Sequence, residues 1–374
     1  MHIPYRSFMF FSCFFLFTLN THSAPAQHEK IITLGQSACF SGALGIYGNI
    51  IKNAITARIN RINKQGGIHG YKVALVSLND NSDPQRTYDN TKKLRTQNID
   101  MFIGNMGTRS IIKLLPLIQE KKIAMFFPWS GDPLLDDPSL SHIINGQGLL
   151  GPQLTTIAHH VTTTLRMDKI ALFHADDGFS TAAAETLIKI LSEHHQAPIA
   201  VASYNRFTLD IVSPAKTLIN ADPRVVICIA TSMPTVKLIN HFFAAGHYGT
   251  TFCGVDSTLF TPLLTKDRGV DYFYTSAVPH PNQTTIALAQ NYKADMKLYF
   301  PNEHINTLSF SYYVSAAIVL QAMQESQNPH HKEEIIKIIE TMDNTSIEGL
   351  PITFNPKNRH AFGSDISIIT RKDS

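Results

Sequence analysis

Two patterns in this chain have the residue types that chemistry needs. Gly178-Phe179-Ser180-Thr181-Ala182 follows the predicted strand Lys169–His174 and precedes a predicted helix. That is a loose form of the nucleophile elbow, in which a serine on a sharp strand-to-helix turn attacks an acyl group. Here several polar residues separate the serine from the strand, and alanine replaces the final glycine of the motif, so a plain loop serine is the simpler reading. A secreted serine hydrolase stays as a remote alternative. The second pattern is the set of pairs His159-His160, His194-His195 and His330-His331, among 17 histidines in all. Adjacent residues on a helix point about 100° apart, whereas helical metal sites use an i,i+4 spacing. No His-x-x-x-His occurs, so solvated helix ends read better than zinc, and neither metal nor cofactor is expected.

The elements that must position these residues repeat along the chain. Ile31–Gly35 is a β-prone run, Ser41-Gly42, Gly45 and Gly48 make a small-residue loop, and Ile51, Ile55, Ile59 and Ile62 recur at helical spacing to Gln65. Gly66-Gly67 supplies a left-handed stop, and Lys72–Leu78 returns as a strand. This is the opening βαβ unit of a parallel sheet, in which ligands bind beyond the carboxyl ends of the strands, so the loop 36–48 is a candidate site wall. Further strands are expected at Asp100–Gly104, Ile123–Phe127, Lys169–His174, Ile199–Ser203, Val225–Ala230, Thr251–Gly254 and Phe273–Ala277. The set is too long for one compact sheet and splits near 148, which predicts two similar α/β lobes. Residues 301–342 look helical, and Ile352-Thr353-Phe354 with Ile366–Ile369 read as a closing hairpin.

The N-terminus sets the compartment. Arg6 precedes the apolar run Phe8–Leu19, which is shorter than the roughly 20 residues a span requires. It reads as a secretory signal over residues 1–26, cleaved after Ala24-Pro25-Ala26, and points to export of the mature chain. Cys13 lies inside the run rather than at its end, which argues against a lipid anchor. The 32 basic and 29 acidic residues leave the chain near neutrality, without the electrostatic footprint of a nucleic-acid or membrane-surface protein. Cys39, Cys228 and Cys253 are too few and odd in number for a disulfide framework, and buried free thiols are the expected state.

Ser41-Gly42, Tyr47-Gly48, Asn63-Lys64-Gln65-Gly66-Gly67-Ile68-His69-Gly70 and Asp80-Asn81-Ser82-Asp83-Pro84 together resemble the leucine/isoleucine/valine-binding protein family, the type I periplasmic solute-binding proteins of ABC transporters. Ile103-Gly104-Asn105-Met106-Gly107-Thr108, Ile123–Pro128, Ile170–His174 and Ile352–Asn355 continue the series in order, over about residues 31–370. The resemblance implies an α/β fold of two Rossmann-like lobes joined by a three-crossing hinge, a Venus flytrap, with lobe one as 27–148 plus 279–348 and lobe two as 149–278 plus 349–374. It implies a monomer that captures a small ligand, an amino acid or a related carboxylate or amide, and delivers it to an ABC transporter permease, without catalysis. A ligand-sensing subunit of a membrane receptor is the alternative.

The resemblance also places the site. Thr108 falls where the family holds a ligand carboxylate with a hydroxyl, before a helix whose N–H groups favour an anion, and Arg109 is a charge-assisted partner for the same group. Tyr47 matches an aromatic contact. Asp256 matches the acid that neutralises a ligand ammonium, where the family has a longer glutamate. Thr231 and Phe179 stand where aromatic and tyrosine residues are common. Phe127-Pro128-Trp129-Ser130 departs furthest: Ser130 substitutes one position off register for the usual hydroxyl, and Trp129, the only tryptophan, narrows the pocket or stacks on a flat ligand.

Overall fold

The computed structural model describes residues 1–2, 30–42, 44–130, 132–146, 150–206, 208–256, 269–357, 359–361 and 366–370, so the expected signal segment lies almost wholly outside the described residues. The first sheet is built from β1 (Ile31–Ala38), β2 (Lys72–Asn79), β3 (Met101–Ile103), β4 (Ala124–Phe126) and β5 (Ile143–Ile144) in the order β2-β1-β3-β4-β5, all parallel. Its crossovers are α1 (Gly45–Lys64), α2 (Pro84–Arg95) and α3 (Thr108–Gln119). Ile51, Ile55 and Ile59 turn the apolar stripe of α1 inward, and Gly66 and Gly67, at φ +110° and +78°, end it in the left-handed region expected of them. Gly48 lies inside the helix rather than in the loop before it. A Cβ there would stand 1.9 Å from the Cys39 carbonyl oxygen, so the glycine lets α1 start directly against the end of β1.

The loop is accordingly shorter than the predicted 36–48, because β1 runs on through Ala38. Gln36 and Ser37 read as loop residues only because they are polar, and both are buried and satisfied. Gln36 Nε2 donates to the Gly104 carbonyl at 2.9 Å and Gln36 Oε1 accepts from Ser77 at 2.8 Å, while Ser37 Oγ donates to Asp80 at 3.1 Å. Burial raises the Asp80 carboxyl above its ordinary range, against the lowering pull of bonds from the Ser82 N–H, Thr87 and Ser37.

The second sheet holds β6 (Ile170–Ala175), β7 (Ala200–Tyr204), β8 (Val225–Ile229), β9 (Thr251–Gly254), β10 (Tyr272–Ser276) and β13 (Ser367–Thr370), in the order β13-β10-β9-β8-β6-β7. Only β13 is antiparallel, on β10. The helices α4 (Leu150–His159), α5 (Gly178–Glu193), α6 (Val212–Asn220) and α7 (Ser232–Ala244) serve this sheet. In the first lobe α8 (Ala287–Tyr299) and α9 (Thr307–Glu325) return to pack on α1, α10 (Lys332–Glu340) packs on α9, and α9 is buried on nearly every side. Each sheet is apolar on both faces, with separate core clusters above and below, as parallel sheets require.

The predicted closing hairpin does not form. Ile352 pairs with Thr345 in a small ladder of β11 (Thr345–Ile347) and β12 (Leu350–Ile352), whereas β13 completes the second sheet. Two ladders with different partners look like one hairpin when only the β-prone runs are visible. The stretch assigned to the second lobe from 349 packs with the first cluster as far as Ala361, through Leu350, Ile352 and Phe354, and Ile369 packs with the second. The chain therefore passes between the lobes three times, after β5, after β10 and before β13. Cys228 and Cys253 are buried and unbridged, as expected. Cys228 pairs with Gly254 and Cys253 with Ile227, a one-residue offset that puts the two thiols on opposite faces of the sheet. Among the described residues no helix is long and apolar enough to cross a membrane.

Candidate functional site

Parallel strands deliver the following residues to their carboxyl ends, and the eight expected site residues all lie there. Tyr47 stands in the first turn of α1, just beyond β1. Beyond β3, Gly107 at φ +95° turns the chain into α3, whose first ladder bond runs from the Ile111 N–H to the Gly107 carbonyl at 3.0 Å. The N–H groups of Thr108, Arg109 and Ser110 precede that bond and form the positive end of the helix. Beyond β4, Phe127 takes φ +53°, and Pro128 then sends Trp129 back along the segment that leads into α3. The Trp129 N–H donates to the Asn105 carbonyl at 2.7 Å, and its own carbonyl accepts from the Gly107 N–H at 3.1 Å.

This two-stranded splice brings four of the expected residues into direct contact. The Thr108 and Ser130 hydroxyls are 2.8 Å apart at the start of α3. The Tyr47 and Trp129 rings are stacked, centroids 5.0 Å apart and planes 27° from parallel. Tyr47 is buried while Trp129, Thr108 and Ser130 are half-buried. Two adjacent hydroxyls can both donate to one anionic oxygen pair, and a flat indole beside them offers an apolar wall. Arg109 is exposed, and no ion pair or hydrogen bond of its side chain occurs among the described residues.

On the second lobe the site residues come from separate elements. Thr231, two residues past β8, is the residue before α7, and its carbonyl accepts from the Thr235 hydroxyl at 3.0 Å. Phe179 lies in the first turn of α5, 36% exposed, beside the capping Asp177, which accepts from the Ser180 N–H at 2.8 Å and pairs with Arg206 at 3.1 Å. Asp256 follows β9, half-buried, with its N–H on Gln153 Oε1 at 2.9 Å; Thr275 donates to the same oxygen at 2.7 Å. Among the described residues the two edges are joined where the Ser232 N–H, first in α7, donates to the Tyr47 hydroxyl at 3.2 Å. Burial raises the Tyr47 pKa, opposed by the bonds from Ser232, so the phenol stays neutral.

Ser232 and Gln153 were not among the expected site residues. Ser232 carried a weak signal, as the next residue after Thr231 at a strand-to-helix turn. Gln153 carried none, since its partners lie 103 and 122 residues away. Ser180, the centre of the elbow-like motif, is buried in the first turn of α5 rather than raised on a turn. His159 and His194 face each other edge to face at 6.3 Å, and the described residues contain no group of three or more His, Cys, Asp or Glu side chains arranged to hold a metal.

A family model described as periplasmic binding protein matches residues 31–372. The Leu/Ile/Val-binding protein BraC3 of Rhizobium johnstonii is 25% identical over 162 residues, 43% of this chain and 44% of that one. The leucine-specific-binding protein of Salmonella typhimurium is 25% identical over 167 residues, 45% of this chain and 44% of that one. These matches thus span less than half the length of either relative. A branched chain amino acid ABC transporter structure from Thermus thermophilus with bound valine superimposes with a TM-score of 0.79 at 18% identity, covering 91% of this chain and 93% of that one. A solute binding protein from Rhodopseudomonas palustris in complex with 4-hydroxybenzoate does so with a TM-score of 0.76 at 16% identity, covering 91% and 92%. At such identities the superpositions speak to the fold alone, which is the two-lobed one described above. Taken with that fold, the match across nearly the whole chain shows that the protein belongs to the periplasmic binding protein family, in its type I leucine/isoleucine/valine-binding branch, whose members bind solutes and are not enzymes.

Proposed function

We propose that this protein is exported through its N-terminal signal, captures a small carboxylate-bearing ligand in the periplasm by closing its lobes, and hands it to an ABC transporter permease. The observation that carries the reading is the Thr108–Ser130 hydroxyl pair at the start of α3, across from the α7 edge. In this reading the two hydroxyls and the first N–H groups of α3 receive the ligand carboxylate and Arg109 adds a longer-range attraction. Asp256 takes an ammonium where the ligand has one. Tyr47, Trp129, Phe179 and Thr231 wall the cleft. The ligand's preference for the closed form drives closure, which needs no catalytic group. The working unit is a monomer without nucleic-acid partners. A sensing subunit of a membrane receptor would use the same clamp.

Trp129 favours a second reading of the ligand. Its indole, held flat by Tyr47 next to the hydroxyl pair, suits a planar aromatic carboxylate as well as it suits an aliphatic amino acid. The neighbours named above hold one of each, valine and 4-hydroxybenzoate. Thermal unfolding of the mature protein, refolded to strip carried ligand, tests both readings against a panel of amino acids, amides, aromatic acids and sugars. A ligand at about a hundred times its Kd adds roughly 2.7 kcal/mol, which raises the midpoint by several degrees. A rise with valine or leucine supports the amino-acid reading, a rise with hydroxybenzoates the planar one, and no rise with any carboxylate overturns both.

A further inference from the structure

The Tyr47 hydroxyl is a point where the two edges of the cleft touch without a ligand between them. Tyr47 belongs to the first lobe's core and is 3% exposed; Ser232 opens a helix of the second lobe and is 1% exposed. The serine N–H donates to the phenol at 3.2 Å. Water does not reach the phenol in this arrangement, so closure without the bond would bury the Tyr47 hydroxyl unpaired. The phenol cannot swing to follow a ligand. Its ring is stacked on Trp129, and the Trp129 main chain is tied on both sides to the segment entering α3. The place of α7 relative to Thr108 and Ser130 is therefore set by protein.

We infer that Tyr47 is an inter-lobe latch: its bond to Ser232 stabilises the closed lobes directly, so that ligand affinity is set in part by a contact no ligand makes. The inference rests on the reading of the cleft as the binding site and names how that site is regulated. A latch changes the free energy of the closed form and so scales the affinity of every ligand by one factor, whereas a residue that touches ligand discriminates among them.

Two substitutions approach the bond from opposite sides. Tyr47→Phe keeps the ring and its stack and removes the hydroxyl. Ser232→Pro removes the N–H donor at the first position of α7, where proline fits, and Thr231 before it already has the extended backbone that proline demands (φ −77°, ψ 170°). Trp129, the only tryptophan, reports from beneath the latch. In the ligand-stripped full chain, iodide quenching of Trp129 and the radius of gyration from small-angle scattering are both expected to rise in each variant. The double variant should match the singles, with the closed-to-open ratio down roughly fivefold to tenfold. Unchanged quenching and radius in both variants would overturn the latch. So would a rise in Tyr47→Phe alone, because the effect would then belong to the ring stack. Neither readout contains a ligand, so a protein that shows the latch yet responds to no compound in the thermal panel keeps this inference and loses the carrier reading.

Discussion

On the first lobe Tyr47, Thr108, Trp129 and Ser130 hold one another through a ring stack, a hydroxyl pair and a two-stranded splice of main chain, whereas on the second lobe Phe179, Thr231 and Asp256 are each held by their own neighbours, Asp177 beside one, Thr235 and Gln153 on the others. The first edge is preorganised as a unit and the second is assembled from three element ends. On the proposed reading the charged end of the ligand meets the rigid edge and closure brings up the other, so that the second edge can vary without loss of the anchor. The strain at Phe127, a bulky residue in the left-handed region before a proline, costs roughly 1–3 kcal/mol and lies on the rigid edge, where the surrounding core holds it in place.

The largest expected effect tests what makes the first edge rigid. Tyr47 rides on α1, and α1 is fastened inside the lobe by Arg58, which pairs with Glu348 at 2.6 Å and lies over the Tyr313 ring at 5.4 Å. Asn291 also donates to Glu348, at 2.7 Å. Burial opposes the charge on Glu348, yet Arg58, Asn291 and Arg61 outweigh it and hold the carboxyl below its ordinary range. A lowered folded pKa means that the stabilisation is complete above the unfolded pKa of about 4.3 and is lost as pH falls through the folded value. Arg58→Ala should cost about 3 kcal/mol in chemical denaturation at neutral pH, since it leaves a half-buried carboxylate with only Asn291 and the more distant Arg61 to hold its charge. The deficit should shrink in acid. Hydrogen exchange should place the loss in α1, α8 and α9; an equal loss in the second lobe would end the distinction between a rigid half and a passive one.

Next in size is the anchor itself. Thr108→Val with Ser130→Ala keeps the shape of the edge and removes both hydroxyls, and binding of a carboxylate ligand should weaken about 30- to 100-fold, as hydrogen bonds to charged groups contribute roughly 1.5–3 kcal/mol. Calorimetric titration of both variants measures it. The unliganded unfolding midpoint should hardly move, because the pair is half-buried and replaceable by its own apolar outlines. A large fall in midpoint with affinity intact would make the pair a structural tie.

These contrasts mark what the sequence could and could not disclose. The βα rhythm, the strand ends and the two-lobe division were legible because apolar runs and glycines at turns are local signals, and Gly66-Gly67 ends α1 as its type demands. That Tyr47 meets Trp129 and Thr108 meets Ser130 was suggested only by the family resemblance, since no spacing in the chain joins either pair. Gln36 and Ser37 were misplaced into the loop because polarity resembles exposure until the partners, Ser77, Gly104 and Asp80, are known. β5 was missed because Ile143-Ile144 is too short to carry a period. The Tyr47–Ser232 bond was illegible in principle, as it depends on how two lobes meet.

Asp256 gives a smaller effect that separates the ligand classes. Asp256→Asn keeps the side-chain volume and the main-chain bond to Gln153 while removing the charge. A zwitterionic ligand should lose about tenfold in affinity, the difference between a charge-assisted and a neutral hydrogen bond, and a carboxylate without an ammonium should lose nothing. Parallel titrations of an amino acid and an aromatic acid decide it. Equal losses for both would detach Asp256 from the ligand and leave the second edge without a charged contact of its own.

Arg109 should show the smallest effect and the most informative salt dependence. It stands one residue past Thr108, exposed, with no ion pair from its side chain among the described residues, so its pull on an incoming carboxylate passes largely through water. Exposed charge pairs contribute about 0.2–1 kcal/mol, which predicts a loss of roughly fivefold or less for Arg109→Ala at low ionic strength. Screening shortens the reach of such a charge from about 30 Å at 0.01 M salt to about 3 Å at 1 M, so the loss should vanish as salt is raised while the loss from the Thr108 and Ser130 changes persists. An Arg109 effect that survived 1 M salt would mean that closure brings the guanidinium onto the carboxylate. The first edge would then be a three-group anchor that is complete only when the second edge arrives, and rigidity would no longer belong to one lobe alone.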